Sequence, residues 1–116
     1  MSEVRSGEHT VLDHQRLESF TQGDAALEAE LAGLYIETAH LYLARLRRAG
    51  DDAVAWQRAA HALKGASANI GAVLVARLAA EQEQANPSIA GLRALEAEVG
   101  AVRDLFRERG TLAADA

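Results

Sequence analysis

The chain of 116 residues has room for one domain and one modest hydrophobic core. Its 49% hydrophobic and 25% charged content is that of a globular chain, and the absence of cysteine removes disulfides, thiolate metal sites and cysteine nucleophiles together. A formal net charge of −5 argues against nucleic-acid binding, no apolar run is long enough to span a bilayer, and the N-terminus lacks the apolar core of a signal peptide, so a cytoplasmic protein is expected.

Alanine and leucine far outnumber the β-branched residues, and proline occurs once, at Pro87, which together favour helix. Residues 1–10 are polar and without periodicity, and a mobile tail is expected there. Asp13 can cap a short helix to about Phe20, with Leu17 and Phe20 on one face. Asp24 can cap a long helix to about Arg48, with Leu27, Leu31, Leu34, Leu41 and Leu46 at helical spacing beside Tyr35 and Tyr42. Arg45, Arg47 and Arg48 complement its negative end, and Gly50 follows as a terminator.

Asp51 or Asp52 caps a third helix, whose apolar stripe is Ala53, Trp56, Ala60, Leu63, Ser67 and Ile70, with Gly71 as the stop. A fourth helix runs from about Val73 to Ala85, and Ser88 caps a fifth that carries Leu92, Leu95, Val99, Val102 and Phe106 toward Gly110. Short loops force neighbouring helices antiparallel. The expected fold is all-α: an up-down four-helix bundle over residues 11–110, with a short additional N-terminal helix laid across one end and a tail at 111–116.

Chemistry concentrates on the third helix. At about 100° per residue, His61 falls about 140° from the centre of the buried stripe and so faces solvent. Lys64, the chain's single lysine, and Gly65 lie three and four residues on, along the same face. An isolated surface histidine or lysine is usually only a solvated side chain. Gly65 is harder to dismiss, because glycine inside a helix costs about 1 kcal/mol against alanine. Its missing Cβ leaves the imidazole open to a large reactant, and Ala68 keeps the neighbouring surface low. A histidine near neutral pH is largely a free nucleophile, and an adjacent ammonium stabilises negative oxygens on a transferred group. Phosphoryl transfer fits. The chain has no glycine-rich phosphate loop and no recognisable carboxylate set for Mg²⁺, so another protein must bring donor and metal.

The run His61-Ala62-Leu63-Lys64-Gly65-Ala66-Ser67-Ala68-Asn69-Ile70-Gly71-Ala72 resembles the signature of histidine-containing phosphotransfer (HPt) domains, H-x-L-K-G-x-S-x-x-x-G-A, and meets every fixed position. The similarity extends from about Val11 to Phe106, through the Gly23-Asp24 helix start and the Ala-Gly-Asp-Asp turn at 49–52. The resemblance implies a phosphoryl carrier, not a stand-alone enzyme. His61 would take phosphate on its outer nitrogen from an aspartate of a response-regulator receiver domain and pass it to another. The receivers would supply Mg²⁺ and an acidic pocket, leaving this chain with no cofactor or metal of its own. Lys64 would contact the phosphoryl oxygens and Gly65 would give the receiver room. Ser67 would be small on the core stripe, with its hydroxyl bonded back to a helix carbonyl, and Gly71 would end the helix. A polar side chain near the ring's inner nitrogen is implied, with Gln57 and Glu83 as candidates. Partners would be receiver domains and a sensor histidine kinase, hybrid or not, and the chain would be a monomer.

A kinase dimerisation domain is less apt, because an acidic residue commonly follows its histidine and Ala62 stands here. A non-catalytic helical interaction module explains the leucines but not Gly65. No metal site is expected at His9, His14 or His40. His14 and His40 are expected at the surface. Arg45, Arg47, Arg48 and Arg58 are expected as a solvated end, with a role in docking an acidic receiver face as the functional alternative. Docking is expected on the exposed edges of the second and third helices around His61.

Overall fold

The computed structural model describes residues 11–112, which form five helices: α1 (His14–Thr21), α2 (Ala25–Ala49), α3 (Ala53–Ile70), α4 (Val73–Glu83) and α5 (Ile89–Glu108). The expected N-terminal tail, with His9, lies outside the described residues, as do residues 113–116. Four helices start on side-chain caps at the expected places. Asp13 accepts from Arg16 N, Asp24 from Leu27 N, Asp52 from Val54 N and Ala55 N, and Ser88 from Gly91 N. The remaining helix, α4, has no side-chain cap. It begins directly out of the α3 terminus, where Gly71 is left-handed at φ 85° and the Ala72 and Gly71 amides bond back to Ser67 and Ala68 carbonyls.

The architecture is the expected all-α bundle. Each of α2 to α5 packs on the next, and α5 closes back on α2. Phe106, Leu63, Leu95, Val75 and Val99 fill the centre, essentially without exposure. The short α1 packs on α2 and α3 and is seated on the α3–α4 turn, where Asp13 N donates to Gly71 O at 2.7 Å. At the same end Arg109 makes a bidentate pair with Glu28 and Thr111 donates to the same carboxylate, while Arg109 also meets His14 Nδ1. Thr111, assigned to the tail from sequence, is thus tied to α2, and Leu112 packs against the core.

Four expected core assignments are corrected. Leu34 and Leu41 are 60% and 48% exposed, and the buried face of α2 is Ala32, Tyr35, Ala39, Leu43 and Leu46. Leu34 points about 140° from the centre of that face. The two alanines let α3 approach closely, so packing selects the smaller side chains. Phe20 is also exposed: α1 buries only Leu17 and Thr21, and Phe20 instead carries the Arg16 guanidinium 4.9 Å above its ring. On α3, Ala53 is exposed at the first turn and Ala59 joins the buried stripe.

Candidate functional site

Because Trp56, Ala60, Leu63, Ser67 and Ile70 are turned inward, His61, Gly65 and Ala68 are turned out. The His61 side chain is 66% exposed. Its Nδ1 lies 2.8 Å from Glu83 Oε2, and the other oxygen of that carboxylate lies 2.8 Å from Lys64 Nζ. One carboxylate from the last residue of α4 therefore joins the imidazole and the ammonium of α3. Glu83 itself is only 13% exposed, sheltered by the two side chains it holds.

Hydrogen bonds from Lys64 first, and then from His61, hold the Glu83 carboxyl below the usual carboxylate range. An ionised carboxylate can only accept, so Nδ1 must carry the proton. In the neutral ring the lone pair then sits on Nε2, on the side away from Glu83. That leaves a fixed nucleophilic nitrogen at the surface.

The placement of Glu83 depends on Trp56. The indole Nε1 donates to the Gln82 carbonyl at 3.0 Å and fixes the α4 backbone one residue before Glu83. This contact was not anticipated from sequence. Its only advance signal is a tryptophan on a buried stripe, whose N–H must find an acceptor. Gln57, the other candidate for the inner nitrogen, is exposed, and no hydrogen bond joins it to the ring among the described residues.

Gly65 has open space around it: an added Cβ would meet nothing within 4 Å. Packing therefore does not require glycine there, unlike Gly71, where a Cβ would lie 2.9 Å from the Asp13 carbonyl. Gly33 on α2 is open in the same way, so the distinguishing property of Gly65 is openness one turn beyond His61.

Ser67 differs from expectation. Its hydroxyl shares a 2.8 Å hydrogen bond with Tyr35 OH on α2, instead of bonding back to a helix carbonyl. Both side chains are buried, and burial pushes the Tyr35 phenol up to about 12, so it stays protonated. The pair fixes α2 against α3 beneath the histidine face.

Among the described residues, no group of three or more His, Asp or Glu side chains could hold a metal ion, and no helix is long and apolar enough to cross a membrane. The family model of the Hpt domain matches residues 30–113. Among solved structures, histidine-containing phosphotransfer protein B of Pseudomonas aeruginosa PAO1 is similar, with a TM-score of 0.80 and 28% identity over 87% of this chain and 95% of that one. A search of curated proteins gave no match.

Proposed function

The chain belongs to the Hpt domain family, and from that premise we propose that His61 carries a phosphoryl group between aspartates of two receiver domains. The observation that supports this most is the single Glu83 carboxylate that holds both His61 Nδ1 and Lys64 Nζ, leaving the outer nitrogen exposed.

In the forward step the Nε2 lone pair attacks phosphorus of an aspartyl phosphate. An N–P bond forms, the P–O bond to aspartate breaks, and the aspartate leaves as its carboxylate. The ring is now a phospho-imidazolium whose Nδ1 proton stays on the Glu83 hydrogen bond. In the return step an oxygen of the second aspartate attacks phosphorus and the N–P bond gives its electron pair back to Nε2. No proton has to enter or leave. Lys64 swings from Glu83 to the phosphoryl oxygens on its flexible stem and offsets charge as it develops there. The receivers bring the divalent cation.

On this reading the receiver docks over the α2–α3 face around His61. Gly65 and Ala68 give it close approach. A shallow groove of about 370 Å³ between the helices, lined by Phe20, Leu31, Leu34, Tyr35, Ala66 and Ile70, offers apolar area that the bundle itself leaves uncovered. Release after transfer calls for a small interface and modest affinity. Receiver domains and a sensor histidine kinase, hybrid or not, are the partners of a monomeric, cytoplasmic carrier.

The test is transfer from receiver domains charged with acetyl phosphate. Acid-labile, alkali-stable label should appear on the wild type and be absent from His61→Gln. A wild type that takes no label, or a His61→Gln variant that does, overturns the assignment.

A further inference from the structure

On the phosphorelay reading above, we infer that Arg45, Arg48 and Arg58 form a second contact for the receiver, one that steers and orients partners carrying an acidic flank. The outward stripe of α2 runs Leu34, Thr38, Leu41, Arg45, Arg48 along one line of the helix, and beyond Leu41 it changes from apolar to cationic. Opposite that end, α3 supplies Arg58, one turn before His61. The three guanidiniums line an open cleft of about 400 Å³ at the α2–α3 turn, over a floor of Ala49, Ala55 and Ala59.

The cleft has an excess of positive charge. Asp52 is its one acidic residue, and that carboxylate already accepts from Val54 N and Ala55 N as the cap of α3. None of the three arginines has a carboxylate partner among the described residues; Arg45 has only the Tyr42 ring, 5.5 Å away. Their neighbour Arg47 reaches across to Glu96, and Arg107 and Arg109 pair with Asp104 and Glu28. In a chain with 17 acidic and 12 basic residues, three unpaired guanidiniums on one cleft are a local reversal of the overall sign.

Helix-dipole compensation explains Arg48, in the last turn of α2. It does not explain Arg58, which stands near the N-terminal end of α3, where a cation gains nothing from the dipole. The partner that fits is set by its chemistry. An aspartate that exchanges phosphate needs carboxylates around it to hold a divalent cation. A protein face built that way would be repelled by a carrier of net charge −5 unless it met a cationic patch near the acceptor histidine. Guanidiniums suit carboxylates through paired hydrogen bonds, and the alanine floor lets a partner's side chains reach them.

The experiment compares wild type with Arg45→Gln/Arg48→Gln/Arg58→Gln and with the corresponding triple lysine variant. Transfer is measured from a panel of acetyl-phosphate-charged receiver domains of differing flank acidity, at low and high salt. With acidic-flank receivers, the glutamine variant should raise KM about tenfold and flatten its salt dependence. The rate at saturation should change by no more than about twofold. The lysine variant should restore KM to within a few-fold, which separates charge from folding. Unchanged KM and salt dependence in the glutamine variant, while the wild type labels on His61, overturns this inference and leaves the relay standing. A wild type unlabelled by every receiver overturns both. Retardation of an oligonucleotide by the wild type but not by the glutamine variant, with transfer unaffected, assigns the cleft to nucleic acid and overturns the inference.

Discussion

Glu83 holds Nδ1 of His61 and leaves the rest of the ring exposed. Its carboxyl is held low because Lys64 and then His61 donate hydrogen bonds to the ionised form. For a carboxylate depressed in the folded state, the stabilisation is present above the ordinary carboxylate range and is lost as pH falls through the folded value. Wild-type stability should therefore show an acid-side decline that is absent from Glu83→Ala, the two proteins converging at low pH when unfolding is followed across pH. Nitrogen-15 spectra of the His61 ring should show the Nδ1–H form near neutral pH in the wild type and a tautomer mixture in Glu83→Ala. Transfer in that variant should fall about tenfold, the worth of one orienting hydrogen bond; an unchanged tautomer would remove Glu83 from the mechanism. Gly65 is tested by the opposite effect. With open space around it, Gly65→Ala should stabilise α3 by about 1 kcal/mol in urea unfolding. Gly65→Gln should keep the fold and block transfer from a receiver.

Tyr35 and Ser67 act at the scale of the helix pair. They place a buried hydrogen bond between α2 and α3, and its loss strands a hydroxyl on α3. Tyr35→Phe should cost about 1–3 kcal/mol, and adding Ser67→Ala should recover part of that, because two missing partners cost less than one orphan. The phenol is raised to about 12, above its ordinary value near 10, so its contribution is constant below pH 10 and declines as pH rises toward 12. That alkaline decline should be absent from Tyr35→Phe when unfolding is followed by circular dichroism. The same helix pair marks how far the sequence could be read. His61, Lys64 and Gly65 were legible because they share one helix, where the period alone fixes their common face. Their link to Glu83 depends on the register of α4 against α3. That register is set by the Gly71–Ala72 turn and the Trp56–Gln82 contact, which no periodicity encodes. The burial of α2 misled for a different reason: its leucines are periodic, yet close packing on α3 selected the face bearing Ala32 and Ala39.

The whole molecule holds α1 at the end of the bundle where α3 stops. Leu17 and, just ahead of the helix, Leu12 are buried in the core, and Asp13 N to Gly71 O and Arg16 Nε to Asn69 O join this segment to the end of α3. Gly71 thus has two functions. It turns the chain from α3 into α4 in a left-handed conformation that alanine tolerates poorly, and its bare Cα is the seat of α1. A Cβ there would lie 2.9 Å from the Asp13 carbonyl and 3.2 Å from Arg16 Cβ, and neither neighbour can yield without moving α1. Gly71→Ala should therefore destabilise the fold by about 2 kcal/mol or more, a strained backbone and a displaced helix adding together. The two parts can be separated by hydrogen exchange. Strain in the turn alone would raise exchange equally in α3 and α4, whereas a lost seat should raise it first in α1. Arg109 restrains α1 only through the exposed His14 ring, too weakly to hold it once Gly71 is occupied. A Gly71→Ala protein in which the α1 amides stay as protected as in the wild type would show that the buried Leu12 and Leu17 suffice to dock the helix.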